Sequence, residues 1–502
     1  MIMARYLVVN PVGTQAWDAS DAAYLRPLSM PGEEVQVVSL PDGPPAVENE
    51  VTRAEAEYGV ATLLRTLLPP AARAYDAVII NCFADPGLAP AREMLGIPVL
   101  GAGETALALA PLFGEGVCVL APDELTGRIT RHYARRLGLE QAVQGVFPIG
   151  MRVADLDRRP EATVERVVEV ARHAHRQTGA QVMVLGCTGL ASLAAGAASV
   201  LEAEGLVVLE PFALAFRVAE VLVRLGLTHF RGGLYSGAPG SALPEPVGIA
   251  EVLSQPVPAL EVPSRPAAAA EVLPPPVAAA ERVDILLVNA VVSESLLEWV
   301  PDYARSVLPS WTRVRVRHIS WGPPCIESFR QEATARPAIV KAALQESGYA
   351  ASVVNCFADP AVPALREATG RPALGPAEAS CRLALLLGHR FGVVSTGGNV
   401  GPWTELQVRE MGLSGRLAGA VGVKIGVLAL ASDETAAVRA IVTQARKLAE
   451  AGGAEVIVLG CTGMARMARE VADEVRVPVL EPLAVALNLA DLVVRARPWH
   501  RP

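Results

Sequence analysis

The sequence predicts an α/β protein in which mainly parallel sheets are flanked by helices, arranged as two tandem homologous halves. Two observations lead to this class. Short, continuously apolar and β-branched runs alternate with longer amphipathic stretches, which is the pattern of parallel strands covered by helices on both faces. The same motifs also occur twice in the same order, so that the second half of the chain repeats the first.

Within the first half, predicted strands and helices alternate. The predicted strands are residues 5–10, 35–39, 77–81, 116–121, 181–185 and 206–209. The predicted helices are residues 54–68, 89–95, 104–112, 123–137, 160–178, 190–204 and 211–225. The second half follows the same order, starting from a strand at residues 284–289.

One uncharged stretch, residues 181–201, has about the length of a membrane span. It contains Gly-Cys-Thr-Gly and many small residues. A buried strand, a turn and a packed helix therefore explain this stretch better than a transmembrane segment.

The bulk composition is that of a folded, core-rich protein. Of the 502 residues, 51% are hydrophobic and 19% are charged, which excludes a largely disordered chain. The net charge of −8 gives no electrostatic reason to expect nucleic acid or an anionic membrane as a partner. Seven cysteines lie scattered without a disulfide pattern, and the N-terminus lacks signal-peptide features, so we expect a cytoplasmic location.

Three segments organise the chain. The first half covers residues 1–238 and the second covers residues 283–502. Residues 239–282 are rich in Pro and Ala, which predicts a semi-rigid, partly extended linker. Gene duplication and fusion explain this organisation. The halves can pack on each other as the subunits of a homodimer do, with further association left open.

Two cysteine motifs occur in each half at the same spacing. Asn-Cys-Phe-Ala-Asp-Pro occupies residues 81–86 and 355–360, and Val-Leu-Gly-Cys-Thr-Gly occupies residues 184–189 and 458–463. The two motif cysteines are 105 residues apart in both halves. Each follows an apolar strand, at the end where parallel α/β folds bind ligands. We therefore expect two thiols to face one substrate in each half: Cys82 with Cys187, and Cys356 with Cys461.

A cysteine at a strand-to-helix turn has a specific chemistry. The N–H groups and dipole of the following helix favour a thiolate, so the thiol pKa is expected to fall from about 8.5 toward neutrality. The same N–H groups can hold a carboxylate or an enolate. Asp85 and Asp359 are expected to cap the next helix. Glu210 and Glu481, before the last helix of each half, either cap that helix or orient substrate.

Several residues also have plain structural interpretations. Free cysteine is often a buried small hydrophobe, although four cysteines in two matching contexts favour catalysis. Cys118, Cys325 and Cys381 have no counterpart in the other half and are predicted to be packing or surface residues. The seven histidines form no ligand set, which predicts no metal site. The glycine-rich residues 397–401 lack a P-loop pattern and are predicted to form a flexible substrate loop.

These motifs resemble those of the Asp/Glu/hydantoin racemase superfamily, particularly its hydantoin racemase branch. Members carry a Cys-Phe-x-Asp-Pro-Gly-type motif and a Gly-Cys-x-Gly-Met-type motif, matched most fully here at residues 82–87 and 460–464. The Gly-Pro-Pro-x-(Val/Ile)-Glu segments at residues 43–48 and 322–327 also fit. The resemblance covers nearly all of both halves and omits only the linker.

The resemblance implies two similar lobes per half, with one cysteine from each lobe facing a cleft between them. It also implies a cofactor-independent racemase or epimerase that acts on an amino acid or a hydantoin-like derivative. One thiolate would remove a proton from a carbon next to a carbonyl, and the other thiol would protonate the opposite face. By position, the expected substrate-binding residues are Asn10, Thr14, Phe83, Ala84, Thr188 and Gly189 in the first half, and Asn289, Ser293, Phe357, Ala358, Ser395, Thr396, Thr462 and Gly463 in the second.

The halves depart from the family pattern at different places. Family hydantoin racemases begin with Asn-Pro-Asn-(Thr/Ser), whereas residues 10–14 read Asn-Pro-Val-Gly-Thr and residues 289–293 read Asn-Ala-Val-Val-Ser. Ala361 stands where the first half has Gly87, and Ser395-Thr396 stands where the first half has Ala121-Pro122. The two sites are therefore expected to differ in substrate or activity.

Two other functions stay open at this point. One is cis–trans isomerisation or decarboxylation of a small dicarboxylate, both sister reactions of the superfamily. The other is non-catalytic binding of a small molecule.

Overall fold

The computed structural model describes residues 4–68, 74–156, 158–232, 282–294, 298–397, 400–430 and 432–496. Within these residues, the strands form four parallel sheets of four strands each. All four sheets share one strand order, in which the first strand of the lobe lies between the second and the third. The predicted α/β class is confirmed. Of the predicted linker, residues 239–281 lie outside the described residues.

The first half contains two such sheets. The strands of its first lobe are β1 (Arg5–Asn10), β2 (Glu34–Ser39), β3 (Ala77–Ile80) and β4 (Val99–Gly101), accompanied by α1 (Asp18–Leu25), α2 (Glu50–Leu67), α3 (Leu88–Met94) and α4 (Ala102–Leu109). The second lobe contains β5 (Val117–Ala121), β6 (Val143–Pro148), β7 (Val182–Leu185) and β8 (Val207–Leu209), with α5 (Glu124–Arg136), α6 (Pro160–Thr178) and α7 (Ala194–Leu201). The last helix, α8 (Pro211–Leu225), returns to pack on α4 of the first lobe.

The second half repeats this arrangement. Its first lobe has β9 (Val283–Asn289), β10 (Thr312–His318), β11 (Ala351–Asn355) and β12 (Ala373–Leu374), with α9 (Val300–Val307), α10 (Phe329–Leu344), α11 (Val362–Thr369) and α12 (Pro376–Ala384). Its second lobe has β13 (Phe391–Ser395), β14 (Leu417–Gly422), β15 (Val456–Leu459) and β16 (Val479–Leu480), with α13 (Val400–Glu410), α14 (Glu434–Glu450) and α15 (Ala468–Glu474). Helix α16 (Pro482–Arg495) returns to α12 as α8 returns to α4.

The central strands are buried on both faces, which explains their uninterrupted apolar sequences. Leu7, Val8 and Val9 of β1 are fully buried, and every residue of β3, β5 and β7 is buried. Because helices cover both faces of such a sheet, these residues do not have to face water.

The uncharged stretch at residues 181–201 forms β7, a 3₁₀ turn (Thr188–Leu193) and α7, as the sequence interpretation expects. Among the described residues, no helix combines the length and the apolar character that crossing a membrane would require.

The two halves pack against each other through α4, α8, α12 and α16, and one apolar core cluster extends through both. A guanidinium nitrogen of Arg382 donates to the carbonyl of Ala108 at 3.4 Å. Counted from the first motif cysteine of each half, these two residues hold the same position. The contact therefore joins equivalent places in the two halves, as a contact on a pseudo-two-fold axis does.

Candidate active site

The four motif cysteines lie at the carboxyl ends of parallel strands. Cys82 and Cys356 follow β3 and β11, and Cys187 and Cys461 follow β7 and β15. Each half therefore contributes one motif cysteine from each of its two lobes. All four are free thiols in the structure.

In the second half, both cysteines line one cleft between the lobes. The space within it is about 810 Å³, including the open mouth. Its walls are formed by Val291, Trp299, Ile326, Glu327, Asn355, Cys356, Phe357, Ala358, Ser395, Thr396, Val400, Trp403, Thr404, Gln407, Val427, Gly460, Cys461, Thr462 and Gly463. The residues after β11 and after β15 thus meet across one ligand-sized gap.

Backbone N–H groups hold the sulfur atoms. Cys82 accepts a hydrogen bond from the N–H of Ala84, and Cys356 accepts one from the N–H of Ala358. The second cysteines accept from the second residue after each, Gly189 and Gly463. These donors favour the thiolate and lower each thiol pKa.

Burial nevertheless dominates. It raises the pKa of Cys82 to about 12 and that of Cys187 to about 11. In the second half, burial raises the pKa of Cys461 to about 11 and that of Cys356 further. The expectation of thiols near neutrality is therefore wrong for the free protein. The free energy needed to take a thiolate out of water exceeds the stabilisation that the N–H groups of the turns after the cysteines provide.

The two thiols of each half also interact electrostatically. A thiolate at Cys187 raises the pKa of Cys82, and a thiolate at Cys461 raises that of Cys356. Loss of the first proton therefore makes loss of the second harder. Each pair consequently disfavours the state with two thiolates, and its first ionisation gives one thiolate and one thiol.

Behind the first cysteine of each half, two asparagines lock together. Asn81 donates to the Oδ1 atom of Asn10 at 2.8 Å, and Asn355 donates to that of Asn289 at 2.7 Å. This bond fixes the side-chain amide next to the cysteine. The Oδ1 atoms of Asn81 and Asn355 are buried and have no hydrogen-bond partner among the described residues. Both are acceptors that the sequence analysis did not identify.

Asp85 and Asp359 cap helices, as expected, but not the next helix along the chain. The carboxylate of Asp85 accepts from the N–H groups of Gly103 and Glu104 at the start of α4, at 2.9 and 2.6 Å. Asp359 does the same at α12, where it accepts from Ala377 and Glu378 at 2.9 and 2.8 Å. The motif loop is thereby tied to the helix that follows the neighbouring strand.

Glu210 and Glu481 cap the last helices, α8 and α16. Glu481 accepts from the N–H groups of Leu483 and Ala484 at 2.8 and 2.6 Å, and Glu210 accepts equivalent bonds. A tyrosine hydroxyl donates to each carboxylate, from Tyr24 at 3.0 Å and from Tyr303 at 2.6 Å. Of the two roles considered for these residues, the structure shows capping.

Glu48 and Glu327, the last residues of the two Gly-Pro-Pro-x-(Val/Ile)-Glu segments, are functional candidates that were not predicted from the sequence. Glu327 lines the cleft and accepts from the N–H of Val427 at 3.1 Å, which links the two lobes. Glu48 accepts from the N–H of Val153 in the same way. Each carboxylate raises the pKa of the second cysteine of its half. The signal was available, because both glutamates end a motif that occurs in both halves.

The other expected site residues fall into two groups. Phe357, Ala358, Ser395, Thr396, Thr462 and Gly463 line the second-half cleft. The cleft wall formed by the described residues does not include Asn289, which is fully buried behind Asn355, or Ser293.

In the first half, the hydroxyl of Thr188 reaches across the lobes and donates to the carbonyl of Asn81 at 3.3 Å. Phe83 is buried next to Cys82. Thr14 lies in the loop between β1 and α1, where its hydroxyl accepts from the N–H of Ala16. Contact of these residues with substrate stays a prediction.

Within the part of the chain that the structure describes, no three His, Cys, Asp or Glu side chains cluster as the ligands of a metal ion would.

The sequence model of the Asp/Glu/Hydantoin racemase family matches this chain twice, at residues 7–219 and at residues 285–490. The chain belongs to this family. The double match follows the internal repeat, with one family domain in each half. The family match and the hydantoin racemases among its relatives together identify the chain as an isomerase of the racemase type.

Its curated relatives are about as long as one half. The hydantoin racemase of Paenarthrobacter aurescens is 36% identical over 213 residues, which are 42% of this chain and 90% of that protein. The hydantoin racemase of Pseudomonas sp. (strain NS671) is 29% identical over 212 residues, 42% of this chain and 85% of that protein. Among solved structures, the allantoin racemase from Klebsiella pneumoniae is 28% identical, covers 48% of this chain and 96% of that one, and gives a TM-score of 0.45.

Proposed function

We propose that each half inverts a carbon next to a carbonyl in an amino acid or a 5-substituted hydantoin, with its two motif cysteines as acid and base and without a cofactor. The observation that carries this proposal is the pair of interacting thiols, one from each lobe, that line a single cleft in the second half. The hydantoin racemases among the relatives support the substrate class.

The proposed reaction needs two groups because the intermediate is planar. In the second half, one thiolate removes the proton bound to the chiral carbon, and the electron pair moves onto the neighbouring carbonyl oxygen. The other thiol then delivers its proton to the opposite face and becomes a thiolate. The two cysteines end with their protonation states exchanged, so the same site runs the reaction in the reverse direction.

The enolate oxygen is proposed to bind among donors that surround the cleft. Thr396 and Thr462 carry hydroxyl groups in the cleft wall. The unpartnered Oδ1 atom of Asn355 lies in the same wall and can accept from a substrate N–H, such as that of a hydantoin ring. Groups already in place need no reorganisation when charge develops on the oxygen.

The raised thiol pKa values set the pH dependence of this proposal. The reactive form carries one thiolate, and burial makes that form a minority near neutral pH. Because the thiolate fraction grows as pH rises toward the pKa, kcat/KM should increase by up to about tenfold per pH unit between pH 7 and pH 9. A pH–rate profile that falls over this interval would contradict the assignment of the base to a cysteine.

The decisive test removes one cysteine from each pair. Single enantiomers of 5-substituted hydantoins and of amino acids are incubated with the intact chain, and the optical rotation is followed. Cys82→Ser combined with Cys356→Ser is expected to lower the rate at least a thousandfold. The matched control is Cys118→Ser combined with Cys381→Ser, two buried thiols outside the motifs. Equal loss in both double variants would point to a folding defect, and retained rotation change in the first would refute the proposal.

A further inference from the structure

The clefts of the two halves differ in the aromatic side chains around the thiols. Trp299 and Trp403 line the second-half cleft. Trp299 is ten residues after Asn289, where the first half has Ser20 ten residues after Asn10. Trp403 is 58 residues before the second motif cysteine, where the first half has Ile129.

Both indoles are held by a second aromatic ring. Trp299 meets Tyr303 edge to face, with ring centroids 5.4 Å apart, and the hydroxyl of Tyr303 is bonded to Glu481. Trp403 packs on Phe329 at 4.8 Å. A ring held in this way offers a fixed apolar face without losing side-chain entropy when a ligand binds.

The two indoles approach the cleft from different lobes. Trp299 comes from the first lobe, just before α9, and Trp403 comes from α13 of the second lobe. The remaining apolar wall is formed by Val291, Ile326, Phe357, Val400 and Val427. A substrate that reaches both thiols therefore also meets an aromatic surface.

The first half has polar side chains at two positions next to these, namely those of Phe329 and Val300. The second half has the aromatic Phe329, whose exposed fraction is 59%. The first half has Glu50 at this position, and the carboxylate of Glu50 pairs with Arg53 at 2.7 Å. Asp21 stands where the second half has Val300, and its carboxylate accepts from Asn10 at 2.9 Å. Neither position offers an apolar face to a substrate.

We infer that the second half selects substrates whose chiral carbon carries a large aromatic substituent, with Trp299 and Trp403 as the walls of the substituent's subsite. The first half has Ser20 and Ile129 in their places, so an aromatic ring on the substrate adds little to binding there. This half turns over substrates with small and with aromatic substituents at comparable rates. The fused chain thus covers two substrate ranges. This inference rests on the proposed function.

The test compares the halves within the full chain. Cys82→Ser with Cys187→Ser silences the first half, and Cys356→Ser with Cys461→Ser silences the second. The substrates are single enantiomers of 5-benzylhydantoin and 5-methylhydantoin, followed by polarimetry. The kcat/KM ratio of benzyl to methyl is expected to be at least about tenfold larger for the second half than for the first.

Substitution of an indole then locates the preference. In the chain with a silenced first half, Trp403→Ala should lower kcat/KM for the benzyl substrate about 10- to 100-fold and change the methyl value less than about threefold. The matched control is Trp321→Ala, which removes a 45% exposed tryptophan from the loop after β10. Equal benzyl-to-methyl ratios in the two halves, or equal losses for both substrates in Trp403→Ala, would overturn the inference.

A binding measurement separates this inference from the proposed function. In a chain with all four motif cysteines changed to serine, quenching of tryptophan fluorescence reports binding without turnover. The benzyl compound should bind at least about tenfold more tightly than the methyl compound, and Trp403→Ala should abolish the difference. That preference without turnover by the intact chain would support the subsite and contradict the proposed function. No preference in binding would overturn the subsite.

Discussion

The two halves share their topology and their thiol arrangement, yet they differ in what surrounds the thiols. All four sheets have the same strand order, and the motif cysteines follow equivalent strands. The differences lie after β1 and β9 and in α5 and α13. The first half has Ser20 and Ile129 at the positions where the second half has Trp299 and Trp403. The strand-end turns that hold the sulfur atoms are thus separate from the segments that would contact the rest of a substrate, so one can change while the other is kept.

The largest effect on stability is expected at the aspartates of the first cysteine motif. Asp359→Ala leaves two partly buried N–H groups without an acceptor and should lower the free energy of unfolding by about 2–4 kcal/mol. Asp85→Ala should cost about 1 kcal/mol more, because the hydroxyl of Tyr133 also donates to Asp85. Denaturant unfolding measures both values. In a Tyr133→Phe background the excess should disappear, and an excess that persists would show that this hydroxyl is not its cause.

A second difference between the halves is pH-dependent. Burial raises the pKa of Asp21 to about 6, and the second half has Val300 at this place. A carboxyl whose pKa is raised by folding contributes stability that is present below about pH 4 and is lost as pH rises through about 6. Asp21→Asn should therefore be more stable than the unchanged chain by about 2 kcal/mol at pH 8 and nearly equal to it at pH 4.

Unfolding midpoints at the two pH values check this expectation. Asp302→Asn, which removes an exposed carboxylate from α9, is the control. If the gain in stability from Asp21→Asn did not depend on pH, ionisation of the buried Asp21 carboxyl would not be its cause.

The left-handed residue after the first motif provides a third comparison. Gly87 has φ +80°, and an added Cβ atom would lie 2.6 Å from the Cβ atom of Val60. Gly87→Ala should therefore cost about 2 kcal/mol. The second half already has Ala361 here, at φ +63°, so Ala361→Gly should stabilise the chain by up to about 1 kcal/mol. Thermal unfolding of both variants tests the pair, and destabilisation by Ala361→Gly would contradict the strain.

The smallest effect is expected at the glutamates that link the lobes. Glu327→Gln keeps an acceptor for the N–H of Val427 but removes a negative charge that raises the pKa of Cys461. In the chain with a silenced first half, kcat/KM at pH 8 should rise about two- to fivefold, and the pH–rate profile should move to lower pH. Glu48→Gln should act only on the first half, through Cys187. An unchanged profile in both variants would exclude this electrostatic effect.

Much of the fold could be predicted from the sequence, because buried parallel strands and amphipathic helices leave strong patterns. The prediction of a helix at residues 160–178 matches α6 residue for residue, and the repeat predicted two equivalent halves. Helix α1 and strands β4 and β6 were not predicted from the sequence. Helix α1 buries only Leu25, β4 has three residues, and β6 is an edge strand without a fully buried residue, so none shows a clear apolar period.

The site was predictable where it depends on motif position and not where it depends on tertiary contacts. The four cysteines lie where the strand ends indicated. The capping of α4 by Asp85, which passes over α3, requires knowledge of how neighbouring strands pair. Trp299 and Trp403 come from different lobes, and no spacing in the sequence reveals that they share a cleft. The thiol pKa values depend on burial in the folded site, which the local turn does not show.

If two thiols act on opposite faces of one carbon, isotope incorporation shows it directly. A single enantiomer of a 5-substituted hydantoin is incubated with the intact chain in deuterated water and analysed at low conversion, after subtraction of spontaneous exchange. Catalysis by two thiols predicts deuterium at the chiral carbon of the inverted product and hydrogen in the unreacted substrate, because the base that removes the proton is not the acid that returns one. Deuterium entering recovered substrate as fast as product would contradict it.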